Sequence, residues 1–316
     1  MTATRCLILV GLICVCGCAA EPPHPAQIEK IEKLTAKHLP NPIRVHATVI
    51  SGGLPEGDAA FAELKELGVK TVISVDGAKP DVATAAKFGM RYVHLPHGYD
   101  GVPAERAKEL AKAVRDLPGT VYIHCHHGKH RSPAASAVAC VGAGLILPDD
   151  AATVLQVAGT SEAYRGLFQA AESATVLDKA LLDELQAEFP PTAKLPAMAE
   201  AMVQIEHIHD RLRAIEEAGW KTPADQPALV PAHEALLLRE QFTELLRTKE
   251  LQAKPAKFQD LTKEAEALGR ALEEALKTSS DGAAASKLFL SVSNNCKACH
   301  QAFRDVPLNQ KGSPSR

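Results

Sequence analysis

The hydrophobic pattern of the first half of the chain alternates between strand-like and helix-like segments. Residues 120–124 are β-branched and aromatic, as in a buried strand, and residues 91–95 form a second run of this kind. Residues 133–139 continue as a helix with Pro133 in its first turn. Further helices are predicted at residues 82–88, 148–158, 162–176 and 178–189.

The second half has a different periodicity, with apolar residues three and four positions apart. It predicts four amphipathic helices, with apolar positions spanning residues 195–215, 232–250, 258–276 and 288–303. Prolines 223 and 227 separate the first two helices, and residues 279–282 form a predicted loop before the last. We therefore expect an all-α four-helix bundle over residues 195–306, joined through a Pro-containing linker at residues 189–194.

Residues 124–132 read His-Cys-His-His-Gly-Lys-His-Arg-Ser, and this segment is the first candidate functional site. A loop of five residues between Cys125 and Arg131 can wrap a tetrahedral oxyanion, with its N–H groups turned inward and a helix N-terminus behind it. Arg131 offers a planar fork for two phosphate oxygens. The same field favours a nucleophilic thiolate at Cys125, and Ser132 is placed to hydrogen-bond it.

This loop resembles the His-Cys-x5-Arg-Ser/Thr motif of the protein tyrosine and dual-specificity phosphatases. Upstream, residues 49–55 and 61–73 resemble the opening strand, helix and second strand of small bacterial members. The resemblance implies an α/β domain over residues 38–188, a central and mostly parallel sheet flanked by helices. It also implies a general acid on the loop before the catalytic strand, for which Asp100 is the best match. Asp100 could instead be a simple turn residue, and His97 is the reserve candidate for the acid.

The loop departs from the usual family pattern in its basic character. The substrate-binding candidates are His126, His127, Gly128, Lys129 and His130. A basic rim suits a phosphorylated protein or a small polyanion such as a phosphoinositide, although a solvated rim without selectivity remains open. Two other interpretations of the loop also remain: a sulfurtransferase loop, and a metal site formed by His124 with the three rim histidines.

A second motif, Cys296-Lys297-Ala298-Cys299-His300, has the spacing of a c-type haem attachment site. Two thiols three residues apart on a helix can form thioethers, and His300 can ligate the iron. A redox Cys pair is the alternative. With Phe303 and Arg304 following, residues 194–306 resemble the cytochrome c-prime family, which implies haem c with Cys296, Cys299, His300 and Arg304 around it. The resemblance puts Met198 near the distal iron position. Met198 and Met202 could equally be core residues.

The amino-terminal residues predict export. Residues 1–17 resemble a lipoprotein-type signal peptide that would leave Cys18 to carry lipid, with cleavage after Ala20 as the alternative. Residues 18–37 are then a tether with a short helix at residues 27–37, and residues 307–316 are a tail. Only Cys140 has no assigned role, and we expect it to be a buried apolar residue.

These assignments exclude some functions and favour others. Loss of the signal removes one positive charge, Arg5, and takes the net charge from -3 to -4. This balance argues against nucleic-acid binding. We expect a cysteine-dependent phosphatase, lipid-anchored on the periplasmic face of the envelope, with a haem domain of redox or gas-sensing role and a possible redox partner. The alternative is an electron-transfer or gas-binding cytochrome whose first domain only binds an anion.

Overall fold

The computed structural model describes residues 30–278 and 282–311. Its first part is built on one sheet of six strands in the order β1-β2-β3-β6-β4-β5. The strands are β1 (Glu32–Lys33), β2 (Ile43–His46), β3 (Val49–Gly52), β4 (Val69–Ser74), β5 (Arg91–His94) and β6 (Thr120–His124). The pairs among β3, β6, β4 and β5 are parallel, whereas β1 and β2 add an antiparallel edge.

Helices cover both faces of this sheet. They are α1 (Gly57–Glu66), α2 (Val82–Lys87), α3 (Ala104–Asp116), α4 (Arg131–Gly142), α5 (Ala151–Ala158), α6 (Arg165–Glu172) and α7 (Lys179–Glu184). Alternate residues of a strand point to opposite faces, so Tyr122 joins the core under α1 and α2 while Ile123 joins the core under α3 to α6. The predicted α/β fold, with a mostly parallel sheet flanked by helices, is confirmed.

Helix α4 is the structural centre of this domain. Each of its twelve residues is buried, which its Ala-rich sequence permits because small side chains let neighbouring helices approach closely. The helix packs against α3, α5 and α6 and against the strands β3 and β6. The loop that leads from β6 into α4 is therefore held at both of its ends by the core.

The second part is the predicted four-helix bundle. Its helices are α8 (Ala197–Glu217), α9 (Pro231–Arg247), the short α10 (Lys249–Gln252), α11 (Ala256–Thr278) and α12 (Gly282–Cys299). Their core contains Ile208, Leu212, Leu238, Leu272 and Val292. A π-helical turn, His300–Arg304, continues α12. Among the described residues, no helix combines the length and apolarity that a membrane span requires.

The structure corrects several local predictions. Helix α3 was not predicted. Within the described part of residues 27–37, the structure has strand β1, which pairs with β2, in place of the predicted helix. This strand extends the domain before residue 38. Helix α6 is shorter than predicted because residues 161–164 and 173–178 are not helical, and α7 ends at Glu184, before the non-helical residues 185–190. The predicted signal peptide, Cys18 and most of the loop at residues 279–282 lie outside the described residues.

The linker between the two parts is fixed to the edge of the sheet. The carbonyl of Pro190 accepts a hydrogen bond from the backbone N–H of His94 in β5 at 2.8 Å. The N–H of Ala193 donates to Nδ1 of the His94 ring at 3.0 Å. This pairing sets where α8 begins relative to the first domain.

Candidate functional site

The loop between β6 and α4 turns its carbonyl groups outward. Leu54 N–H donates to the carbonyl of His126 at 2.9 Å, the Asn41 amide donates to that of Gly128 at 2.9 Å, and the Thr160 hydroxyl donates to that of Lys129 at 2.6 Å. The backbone N–H groups of residues 126–130 have no acceptor among the described residues. A ring of unpaired N–H groups is an anion-binding site.

Glycine is required in this loop for steric reasons. Gly128 has a φ of 70°, a conformation that other residues rarely adopt. A Cβ atom there would also lie 2.5 Å from the backbone nitrogen of Gly53. The loop therefore packs directly on the segment that follows β3, and this contact keeps its curvature.

Cys125, the predicted nucleophile, is buried beside Ser132. Cys125 is 3% exposed, and its Sγ is 3.3 Å from Oγ of Ser132. The Ser132 hydroxyl donates to the carbonyl of Gly52 at 2.8 Å, so it is fixed beside the thiol. The structure therefore brings Cys125, Ser132 and Arg131 together as the sequence predicts.

Arg131 is held between aromatic and anionic groups. Its guanidinium carbon is 4.4 Å from the centre of the Tyr99 ring, within the range of a cation–π contact. Burial opposes its charge, but the facing Tyr99, Cys125 and Asp76 outweigh burial and raise the pKa of Arg131. The Nε atom of Arg131 is buried and has no hydrogen-bond partner in the part of the chain that the structure describes. A charged guanidinium with a free buried donor suits an oxyanion ligand.

The predicted acid, Asp100, lies next to Tyr99 on the loop after β5. Its carboxylate forms an ion pair with Lys311 at 2.6 Å, and the side chain of Asp100 is 17% exposed. His97 is the weaker candidate, because burial and the nearby Arg131 lower its pKa to about 4. Its Nδ1 faces the carbonyls of Gly98 and Gly101, which leaves Nε2 as an unprotonated, buried atom. Neutral His97 has no acidic proton to give at neutral pH.

The histidines around the loop are less basic than the sequence suggested. Burial and neighbouring cations lower the pKa of His130 to about 4, and burial also lowers the pKa of His127. Only His126 has a raised pKa, because Glu206 hydrogen-bonds it. The four-histidine metal site is not formed, because the ring of His124 is buried against the Tyr92 and Tyr122 rings and its Nε2 lies 2.6 Å from the Tyr92 hydroxyl.

The bundle lies across the open side of this loop. Glu206 of α8 approaches His126, with Oε1 3.4 Å from Nδ1, and lines the same cleft as Arg131 and Asp76. Arg304, predicted to lie at the haem, stacks on the Tyr99 ring with its guanidinium carbon 4.1 Å from the ring centre. Tyr99 thus lies between two guanidinium groups, one from each part of the chain.

The end of the bundle that carries Cys296 and Cys299 gathers partly buried apolar side chains. Met198 and Met202 from α8, the two cysteines and Phe303 all pack against the bundle core. Phe303 meets Phe258 at the start of α11, with ring centres 5.1 Å apart. Side-chain hydrogen bonds between His209 of α8 and Ser293, and between Trp220 just after α8 and Ser286, join α8 to turns of α12 that precede Cys296.

The residues of this end suit a covalently held haem. Burial raises the pKa of Cys296 to about 11 and also raises the pKa of Cys299, so both are neutral thiols. Burial and then Arg304 lower the pKa of His300 to about 4, so its imidazole is neutral and can ligate a metal. The π-helical turn that begins at His300 is a local irregularity of a kind frequent at functional sites.

Three residues near the loop, Asp76, Tyr99 and Glu206, were not predicted as site residues from the sequence. Asp76 follows β4 at the carboxyl edge of the sheet, where ligands bind in parallel α/β folds, and this position was an available signal. Tyr99 and Glu206 had no such signal, because their approach to Arg131 and His126 depends on loop conformation and on how the bundle docks.

Comparisons with known proteins give one family model and several solved structures similar to the chain. The family model described as Cytochrome C' matches residues 241–304. No curated protein matches the chain. Solved structures similar to the chain include P. aeruginosa TpbA, at 22% identity and a TM-score of 0.40, covering 46% of this chain and 89% of TpbA. Another is the core catalytic domain of a PP-IP phosphatase from S. cerevisiae in complex with citrate, at 14% identity and a TM-score of 0.38, covering 48% of this chain and 92% of that one.

Proposed function

We propose that this protein is a cysteine-dependent phosphatase that hydrolyses phosphate monoesters and carries a c-type haem in its bundle. The observation that supports it most strongly is the ring of unpaired N–H groups at residues 126–130 around Cys125, closed by Arg131. These donors match the oxygens of a phosphoryl group, which carry the negative charge in the transition state.

The first step forms a phosphocysteine. The Cys125 thiolate attacks phosphorus in line with the ester oxygen, so a sulfur–phosphorus bond forms as the phosphorus–oxygen bond breaks. Arg131 and the loop N–H groups bind the three equatorial oxygens. Asp100 gives its proton to the leaving oxygen, which departs as an alcohol.

The second step releases phosphate. The Asp100 carboxylate accepts a proton from a water molecule, whose oxygen attacks phosphorus and breaks the bond to sulfur. The Ser132 hydroxyl can turn its hydrogen from Gly52 to the departing thiolate, because Oγ lies 3.3 Å from Sγ. The rim residues His126, His127, Lys129 and His130 would contact the remainder of the substrate, a phosphorylated protein or small polyanion.

The bundle would hold the haem through thioethers from Cys296 and Cys299, with His300 as an iron ligand. The bound haem would supply one-electron redox chemistry or gas binding. Met198, in the first turn of α8 at the same end of the bundle, would be a second residue that holds the iron. Arg304 would then join the haem-bearing turn to Tyr99 beside the phosphate loop.

The proposed location is the periplasmic face of the envelope, with Cys18 carrying lipid and anchoring the protein in the membrane. Covalent haem attachment outside the cytoplasm and the apolar run in residues 7–15 support this proposal. Its test is membrane fractionation of the wild type and Cys18→Ala. Release of the variant into the soluble fraction is expected, and an unchanged distribution contradicts a lipid anchor.

The experiment for the enzymatic proposal is hydrolysis of p-nitrophenyl phosphate by the full-length haem protein. Arg131→Lys keeps the charge but removes the planar fork, and we expect it to lower kcat about 10²- to 10³-fold. Lys70→Arg, a surface change in β4, serves as the control. Equal activity of wild type and Arg131→Lys would reject the proposed phosphate loop.

A second candidate function rests on the position of α8. Because Glu206 occupies part of the cleft that contains Arg131, the first domain could serve only as an anion-binding module, and the protein would be an electron-transfer or gas-binding cytochrome. Phosphate or vanadate binding without any hydrolysis of aryl phosphates would favour this alternative.

A further inference from the structure

We propose that His126 and His127 of the phosphate loop and Glu206 of α8 form a binding site for a divalent transition metal ion between the two parts of the chain. One ligand atom from each of these residues lies within 4.8 Å of the others. Two imidazoles and a carboxylate are a donor set that zinc accepts.

The spacing of the donor atoms supports this site. Donors bound tetrahedrally to zinc at about 2.0–2.1 Å lie about 3.4 Å from one another. Nδ1 of His126 and Oε1 of Glu206 are 3.4 Å apart. The His127 ring stacks on the His126 ring with centres 4.2 Å apart, so its nitrogen is near the other two donors, and the His127 ring would rotate out of this stack to direct that nitrogen at the ion.

A second carboxylate supports the orientation of His126. Asp210 lies one helical turn after Glu206 on α8, and its Oδ2 is 4.0 Å from Nε2 of His126. Ligating histidines commonly direct their second ring nitrogen to a carboxylate, which fixes the tautomer and the ring orientation. His126 therefore has a carboxylate near each ring nitrogen, one as a fellow ligand and one as an orienting partner.

The location of the site gives it a function. His126 directly follows Cys125, and Glu206 lines the cleft that contains Arg131. An ion bound here would tie α8 to the rim of the phosphate loop and close the approach to Cys125. Metal binding would thus inhibit hydrolysis, a consequence that rests on the proposed function, whereas the binding itself does not.

The test is titration of the full-length haem protein with zinc chloride in a calorimeter. We expect one ion to bind per chain, with the affinity reduced at least about tenfold in Glu206→Gln and in His127→Ala, since even outer ligands of metal sites have effects of this size. Glu217→Gln and His233→Ala alter exposed residues of the same types in the bundle and should bind as the wild type does.

One further variant separates the possible outcomes. Cys125→Ser should keep zinc binding, and its loss there together with normal binding by Glu206→Gln would assign the ion to the thiolate and overturn the proposal. Absence of binding in the wild type, or equal binding by Glu206→Gln and His127→Ala, would show that His126 and Glu206 form only an ion pair.

The inhibitory consequence is tested by p-nitrophenyl phosphate hydrolysis with saturating zinc. Lower turnover that recovers in Glu206→Gln supports closure of the loop. Unchanged turnover with zinc bound rejects closure. Zinc binding to a protein without any hydrolysis rejects the proposed function but keeps the metal site.

Discussion

The proposed phosphate loop, residues 125–132, and the proposed haem end of the bundle, which carries Cys296 and Cys299, draw their residues from the chain in different ways. Every loop group that we propose to bind the anion lies within residues 125–132, and the carbonyls of His126, Gly128 and Lys129 accept hydrogen bonds from surrounding residues. The haem end draws instead on the beginning of α8 and the end of α12, which are about a hundred residues apart in the chain. A contiguous motif can therefore specify the whole anion-binding loop, although not the acid Asp100, whereas Cys-x-x-Cys-His specifies only the proposed attachment and one ligand.

The largest effect should come from the nucleophile. Because Cys125 is the attacking atom in the proposed reaction, Cys125→Ser should lower kcat for p-nitrophenyl phosphate at least about 10⁴-fold while vanadate binding is retained. Cys140→Ala removes a buried thiol in α4, outside the loop, and serves as the control. Retention of full activity by Cys125→Ser would show that Cys125 is not the nucleophile.

The haem end is tested by removal of covalent attachment. After expression with c-type maturation machinery, the wild type should keep haem through acid–acetone extraction, and Cys299→Ala should retain clearly less. Met198→Ala should keep covalent haem but remove the weak long-wavelength sulfur-to-iron band of the ferric form. A band unaffected by Met198→Ala would exclude Met198 as the ligand.

The acid is expected to matter according to the leaving group. Asp100→Asn should slow hydrolysis of alkyl phosphates about 10²-fold or more, and p-nitrophenyl phosphate much less, because nitrophenolate leaves without a proton. Asp149→Asn changes an exposed aspartate and is the control. An equal loss for both substrates would remove Asp100 from the acid role. His97, with a pKa of about 4, does not replace it above that pH.

The smallest effect should come from the ion pair between Lys311 and Asp100. Lys311 pairs with the Asp100 carboxylate at 2.6 Å, and this pair holds the acid against the end of the bundle. Lys311→Ala would free the Asp100 carboxyl from this pair and should therefore raise kcat for alkyl phosphates. Because such partly exposed ion pairs are weak, the rise should be no more than about fivefold. Lys311→Arg preserves the pair and should match the wild type. A fall in kcat in Lys311→Ala would mean that the pair positions Asp100 productively.

Sequence reasoning succeeded where structure is determined locally. Strand β6, the loop and the start of α4 could be predicted because the residue types and their spacing within 120–139 are sufficient. The long bundle helices could be predicted from apolar periodicity. Strand β1 could not, since a two-residue strand exists only through its pairing with β2.

The limits of prediction at the site have the same origin. The approach of Glu206 to His126 depends on how α8 leaves the linker. The linker is fixed to β5 by hydrogen bonds with the backbone N–H and the ring of His94, which no local sequence pattern predicts. The reduced basicity of His130 likewise follows from burial beside Tyr164, with ring centres 4.4 Å apart. Contacts between distant segments thus decided what the local motif left open.

The most direct test of the account is to trap the covalent intermediate. The full-length haem protein is mixed with excess p-nitrophenyl phosphate, quenched in acid within the first turnovers and digested for mass spectrometry. The account predicts one added phosphoryl group on the peptide containing Cys125, and none on the same peptide of Cys125→Ser. Turnover by the wild type without any phosphoryl group on Cys125, or equal turnover by Cys125→Ser, would contradict it.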